Sequence, residues 1–282
     1  MDRLRFRYTR PPLTQGITSL AQVGVAIAIG AHPAAGVLWA EVVARVPESV
    51  LLIGVPWLVH LMLFWLFSLA FGYVNRYNAP EFIARYRIQS GPPRRPPIRV
   101  VLHNLAVNQL VLSPLLLAGM WGLLHLRGWT PEAELPGLLA LLMDLAGMSV
   151  ASILWFYVSH RFLHRPWWMK NVHRVHHEFR TSTAMASEYA HPVEFIFGSF
   201  GTLSIGVVLM TPSLPALYLY AVLALTTVLA HHSGYALPWM SWSVHHDWHH
   251  FRFKECFGTL GILDRVLGTD AELKALTDGE TV

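Results

Sequence analysis

The chain is short of charge, of lysine and of cysteine. Charged residues make up 13% of its 282 positions, about half of the roughly 25% usual in soluble domains, so an ordinary water-soluble domain is not the leading class. Cys256 is the only cysteine, which excludes an internal disulfide and any cysteine-based zinc site. Three of the 21 basic residues are lysine, and they belong to no compact basic domain, so nucleic-acid binding has nothing to carry it. The net charge of +4, carried mostly by arginine, fits contact with anionic headgroups or an acidic protein partner.

What is abundant is apolar. Hydrophobic residues reach 54% and the mean hydropathy is +0.40. A helix needs about 20 apolar residues to cross the hydrocarbon, and four segments reach that length: Ile17–Trp39, Val50–Val74, Val100–Leu126 and Leu135–Val158. The first is expected to be a retained span rather than a signal peptide, because no convincing cleavage site follows it. A fifth stretch, Phe195–Leu229, is broken by Thr211-Pro-Ser-Leu-Pro215 and predicts either two short spans or a hairpin that dips in and returns. The fold class expected is therefore an all-α membrane protein of about four transmembrane helices plus a short helical hairpin. Residues 1–159 supply the spans and a basic loop at 75–99. Residues 160–282 form a second region that includes the hairpin at 195–230. Ser90-Gly-Pro-Pro-Arg-Arg-Pro-Pro97 cannot be helical and reads as a stiff connector.

Arginines set the expected orientation. Four lie in the N-terminal arm and six in the loop between the second and third segments, against one each, Arg45 and Arg127, in the alternate loops. The arm and the 75–99 loop are thus expected on the cytoplasmic side. Counting crossings brings His160 and the end of the hairpin to that same side.

Twelve of the sixteen histidines fall between His160 and His250. They form His160-x-x-x-His164, His173-x-x-His176-His177 and His246-x-x-His249-His250, with the pair His231-His232 between the last two. On a helix, positions i, i+3 and i+4 share a face, so each cluster can aim two or three imidazoles at one point. With His232 this gives nine candidate ligands: His160, His164, His173, His176, His177, His232, His246, His249 and His250. A closed site takes about four, so nine suggest two metal ions with room for exogenous ligands. A structural zinc needs no such excess, and haem is held by single histidines inside facing spans, not by clusters beyond their ends. His231 and His245 each duplicate a neighbour and are held as possible extra ligands. Glu194 and Asp247 are expected to orient rings through the distal N–H. The isolated His32, His60, His103 and His125 read as ordinary polar residues of core or surface.

The ordered clusters and their context resemble the fatty acid hydroxylase superfamily of membrane-bound di-iron oxygenases, over about Leu154 to Asp270. His173-Arg-Val-His-His-Glu-Phe179 and Ala186-Ser-Glu-Tyr-Ala-His-Pro-Val-Glu194 are similar to boxes of sterol C4-methyl oxidases. His232-Ser-Gly-Tyr235, His246-Asp-Trp-His-His250 and Cys256-Phe-Gly-Thr-Leu-Gly-Ile-Leu-Asp264 follow in family order. Ala236 departs from the aspartate usual after His-Ser-Gly-Tyr. The resemblance implies two iron ions held by the nine histidines, with His191 as a possible extra or outer ligand, and no catalytic residue beyond the ligands. It implies dioxygen as oxidant and electrons from NAD(P)H through a b-type cytochrome or a ferredoxin partner protein. The expected activity is oxidation of a lipid C–H bond, first among candidates a sterol C4 methyl group. A sterol desaturase, a fatty-acyl or ether-lipid hydroxylase, and a non-catalytic metal-binding membrane protein are the alternatives. The expected location is the endoplasmic reticulum or a bacterial cytoplasmic membrane.

Overall fold

The computed structural model describes residues 14, 16–90, 94–240 and 243–278. The basic arm at residues 1–10 and part of the proline-rich connector, residues 91–93, lie outside the described residues. Every regular element among the described residues is helical, and the one extended pairing is an isolated antiparallel bridge between Arg87 and Tyr235.

Three unbroken helices, Val50–Tyr77, Ile98–Leu126 and Leu138–Leu163, are long and apolar enough to cross a membrane. So are both halves of the fifth stretch, Pro192–Met210 and Leu214–His231. At 1.5 Å per residue these halves are roughly 27–29 Å long, full-length antiparallel helices rather than a shallow dip. Thr211, with φ 46°, makes the sharp turn between them. Asp144, the one acid buried in sequence within the fourth segment, serves that turn. Its carboxylate accepts from the Ser213 backbone N–H at 3.1 Å, where a negative charge also suits the start of the Leu214–His231 helix.

The first segment departs from expectation. It is not one straight helix but two, Ile17–Gly30 and Pro33–Arg45, bent by 87°, a broken span or a re-entrant pair. Pro33 lacks an N–H and its ring excludes the preceding turn, while His32 Nδ1 accepts from the Ala34 N–H at 3.2 Å and starts the new helix. The pair still joins the two ends of the bundle. Thr18 N–H donates to Trp239 O at one end, and Trp39 Nε1 donates to Glu132 O at the other. Pro56 and Pro114 are absorbed differently, each just after a π-helical stretch, Val50–Gly54 and Val107–Leu112, whose wider turns make room for the missing N–H.

The bundle is apolar outside as well as inside. Leu58, Met62, Leu66 and Leu69 form an exposed stripe along one helix, and Leu139, Met143, Val150, Leu154 and Val158 are exposed on another, the surface a bilayer would cover. Helices approach closely through small residues, as membrane helices do. A Cβ on Gly206 would lie 2.6 Å from Met148 Cα, so Pro192–Met210 lies directly on Leu138–Leu163.

At one end of the bundle the loops form a polar cap. Ile88 N–H donates to Gly234 O, Ala236 N–H to Tyr86 O and Arg180 N–H to Arg94 O. The arginine-rich loop thereby lies across the segments that follow His160 and His231.

Replacing Gly206 with valine forces backbone apart at Met148. We expect a loss of about 1–3 kcal/mol, as for overpacked cores, seen as a lowered unfolding midpoint in detergent. Gly119→Ala, with nothing within 4 Å of the new methyl, is the control. An unchanged midpoint for Gly206→Val would refute the close contact.

Candidate metal centre

The histidines arrive from five pieces of chain. His160 lies in the last turn of Leu138–Leu163, and His164 caps that helix. His173 ends a π-helical turn, Met169–His173, and His176 and His177 open a 3-10 turn, His176–Glu178. His232 caps Leu214–His231, and His246, His249 and His250 share Val244–Arg252.

All nine candidate ligands are brought together, in two groups. His160, His164, His173, His177 and His249 form one; His176, His232, His246 and His250 form the other. Within each group the inward nitrogens all lie within 4.8 Å of one another. Nε2 of His173 is 3.2 Å from that of His160, and 3.0 Å from those of His164 and His177. Nε2 of His249 is 3.1 Å from that of His164. In the second group Nε2 of His246 is 2.7 Å from that of His232 and 3.0 Å from that of His250. The groups adjoin, with the His177 and His250 ring centroids 5.0 Å apart.

One expectation needs correcting. The triplets do not each converge on a point. The i, i+4 pairs His160/His164, His173/His177 and His246/His250 stay together, but the i+3 members His176 and His249 turn to the opposite group. Neighbours on a helix diverge by about 100°, so His-x-x-His-His serves two centres at once.

Proton bookkeeping shows what the groups require. A neutral imidazole carries one proton. The outer nitrogen, Nδ1, contacts a backbone carbonyl in His160 (Phe257 O, 2.8 Å), His176 (Tyr189 O, 3.2 Å), His232 (Val228 O, 2.8 Å), His249 (Glu255 O, 2.7 Å) and His250 (Phe179 O, 2.9 Å). In His173 it contacts Glu194 Oε1 at 2.7 Å. Carbonyls only accept, so the five carbonyl-bound rings must donate from Nδ1, as His173 does when Glu194 is ionised, and their Nε2 atoms are then bare lone pairs. His160 and His173 thus face each other lone pair to lone pair. That arrangement is repulsive unless a cation lies between, and ligands at right angles around an ion about 2.1 Å away would be spaced by about 3.0 Å. The donor set fits two first-row metal ions, and all-nitrogen donors suit iron, zinc or copper.

Electrostatics agree. Burial, reinforced by the charge each neighbouring ring would carry, holds His173, His177, His232, His246, His249 and His250 well below the usual imidazole value. His164 is pushed down to about 2 by the same causes, burial first and then His173. These seven rings are therefore neutral at physiological pH, the form that ligates.

The remaining sequence-predicted residues separate. Glu194 touches His173, as described. Asp247 is fully buried and accepts from Gln89 Nε2 at 2.9 Å rather than from an imidazole; burial pushes its carboxyl up to about 6. His191 lies outside both groups, where its Nδ1 accepts from the Val193 N–H at 3.2 Å. His231 and His245 are buried but belong to neither group; His245 lies 3.8 Å from Asp270.

A cavity of about 760 Å³ runs from the histidines into the bundle. His160 and His173 of one group and His176, His232 and His246 of the other form part of its wall, and the rest is largely apolar, including Phe156, Phe195, Leu203, Val207 and Leu217. Sequence reasoning missed one wall feature. His60, read as an ordinary isolated histidine, faces Glu188, to which the sequence motifs assigned no role; they are 2.6 Å apart and both largely buried. The clue was available: a histidine well inside an apolar segment implies a polar partner.

Comparison with known proteins gives a family match. The family model described as fatty acid hydroxylase matches residues 145–269. "Fatty acid hydroxylase domain-containing protein 2" of Macaca fascicularis is 33% identical over 76% of this chain and 65% of its own length, so the chain spans slightly under two thirds of that relative. "Methylsterol monooxygenase 2-2" of Arabidopsis thaliana is 30% identical over 78% of this chain and 85% of its own length. "Very-long-chain aldehyde decarbonylase GL1-11" of Oryza sativa subsp. japonica is 31% identical, with 84% and 92% covered. No solved structure matches.

The division into two groups has a measurable consequence. Purified protein is expected to hold about two metal ions per chain, and His164→Ala and His246→Ala are each expected to lower that to about one by elemental analysis. Retention of both ions in both variants would refute the grouping. Glu194→Ala, which removes the acceptor behind His173, is expected to weaken metal affinity about 10- to 100-fold, as for other outer-shell partners, measured by competition with a chromophoric chelator.

Proposed function

The chain belongs to the fatty acid hydroxylase family, and from that premise we propose that it is a membrane-bound di-iron monooxygenase that oxidises a C–H bond of a lipid with dioxygen. A sterol C4 methyl group is the substrate position we favour. The observation that carries this reading is that neutral imidazoles from both groups open onto one apolar cavity. A single closed site would explain neither the second group nor the cavity.

Iron bound by the two groups would supply reductive activation of dioxygen and removal of hydrogen from an unactivated carbon. The protein's own contribution is positional. Carbonyls of Phe257, Glu255, Phe179, Tyr189 and Val228, with the Glu194 carboxylate, hold the rings in one tautomer and one orientation. The apolar wall excludes water and holds a lipid so that one carbon faces His160, His173, His176, His232 and His246. Choice of carbon then follows from the fit of the chain or ring system to the wall, rather than from acid–base residues.

In this reading the histidine end faces the cytoplasm, supported by the arginine excess in the 75–99 loop. Exposed Arg161, Arg165, Lys170, Arg174 and Arg180 surround that end and suit anionic headgroups. Electrons would come from NAD(P)H through a b-type cytochrome or a ferredoxin. A second reading, oxidation of a long acyl chain, is favoured by the relative whose name specifies a very-long-chain aldehyde and which aligns over 92% of its length.

The test is a lipid mass-spectrometry comparison of one host expressing wild type or His249→Ala. Oxidised or demethylated 4-methyl sterols with wild type alone are expected. A new hydroxylated or shortened acyl chain instead would select the second reading. No change in any oxidised lipid, or purified protein without iron and without substrate-linked dioxygen uptake, would overturn the proposal.

A further inference from the structure

A short helix at the edge of the polar cap is apolar on the side that faces out. Ile262–Leu267 exposes Ile262 by 59% and Val266 by 74%, and Leu260 and Leu267 extend the patch at 47% and 51%. Positions i and i+4 share a face, so Ile262 and Val266 form one outward stripe. The inward residue is a carboxylate. Asp264 is fully buried and accepts from the N–H groups of Phe257 and Gly258 and from the Thr269 hydroxyl, each at 2.7 Å. A helix bathed in water turns its apolar side the other way.

Its place in the fold says what covers that face. A Cβ on Gly258 would lie 3.6 Å from the Tyr157 ring, and the Thr269 and Tyr157 hydroxyls are 3.2 Å apart. Tyr157 precedes His160 by three residues, about 4.5 Å deeper along the Leu138–Leu163 helix. Leu154 and Val158 beside it belong to the exposed apolar stripe of that helix. The patch is therefore continuous with the surface a bilayer would cover, at the level where hydrocarbon meets headgroups. Arg161, which donates to the Tyr157 hydroxyl at 3.0 Å, and Arg265 add exposed positive charge there, which suits lipid phosphate. The same segment reaches inward. Thr259, Leu260 and Ile262 line the cavity onto which the histidines open, and Phe257, whose carbonyl holds His160, lies two residues before Thr259. Gly261, with φ 70°, lets the backbone between Leu260 and Ile262 pass against the His245 ring, which a Cβ would meet at 2.7 Å. Leu260 and Ile262 thus border both the outside and the cavity. Among the described residues, Leu20 on Ile17–Gly30 is the one other exposed large hydrophobic of the wall.

We propose that residues 260–267 insert into the lipid leaflet at the histidine end and that Leu260 and Ile262 form the cavity's entrance, so that the substrate is taken sideways from that leaflet rather than handed over through water by a carrier protein. This deepens the proposed lipid oxidation and rests on it for the substrate's fate, but insertion and entry can be read without turnover. A failure here therefore leaves the metal and lipid-product tests standing, and the reverse also holds.

The experiment places single cysteines in the full-length chain, whose own Cys256 is buried, and studies it in nanodiscs. Nitroxides on Ile262→Cys and Val266→Cys are expected to be relaxed more by oxygen than by a water-soluble nickel chelate, as for a face about 5–10 Å into the headgroup boundary. A nitroxide on Lys274→Cys, exposed on the cap, is expected to show the reverse. For entry, the cysteine is first coupled through a disulfide to a bulky adduct. A diazirine-bearing sterol or fatty acid is then added to the bilayer, and crosslinks to Phe195, Leu203 and Leu217 in the cavity are counted. The adduct on Ile262→Cys is expected to remove most of these crosslinks, and reductant to restore them. The same adduct on Val266→Cys, exposed but not on the cavity wall, is expected to leave them unchanged, with constant metal content as the check on folding. Preferential relaxation by nickel at positions 262 and 266 would mark a water-facing patch for a protein partner and would overturn the proposal. So would cavity crosslinks that neither probe forms without an adduct, that persist behind the adduct at position 262, that are lost equally with one at position 266, or that are lost only with one on Leu20→Cys.

Discussion

Six outer imidazole nitrogens tied to carbonyl or carboxylate oxygens decide the character of this protein's polar end. Each such bond places a proton outward and leaves a bare lone pair inward, at spacings near 3 Å. Water cannot relieve so many crowded acceptors in so little space, whereas two cations would. The oxygens come from Tyr189, Phe179, Val228, Glu255, Phe257 and Glu194. Two of their neighbours, Phe253 and Cys256, adopt positive φ, which turns the chain so that the Glu255 and Phe257 carbonyls can reach the rings.

The membrane part serves this end. Long helices carry apolar side chains on both faces, and the close approach at Gly206 locks the hairpin onto Leu138–Leu163. That contact fixes the far wall of the cavity, since Met148, Val207 and Leu217 share one hydrophobic core. Asp144 is spent on the hairpin turn, far from the histidines. The enclosed space is thus largely apolar away from the histidine end.

Much of this was legible in the sequence because it rests on local periodicity. Apolar run length gave three of the spans and the hairpin, and the i, i+4 histidine pairs are found together because a single helical turn determines them. What escaped depends on contacts between distant segments. The break at Pro33 was hidden by the apolar residues on both sides of it, which read as continuous. The turning of His176 and His249 toward the other group depends on where the remaining histidine-bearing segments pack, which spacing does not encode. The roles of Glu188 and Asp247 were unreadable because His60 and Gln89, their partners, are about 130 and 160 residues away in the chain. The family resemblance, carried by ordered motifs, agrees with the matched family model.

His160 meets His249, and His176 meets His232 and His250, across loops of dozens of residues. No single helix or turn contains a complete group. Four of the five histidines of the first group precede residue 178, but the second group is incomplete until Val244–Arg252 has docked, so an ion bound there would share its binding energy with closure of the whole bundle. Metal occupancy of the second group would then be a seal on finished folding, and a chain lacking Val244–Arg252 would leave His176 and His232 without a shared ion.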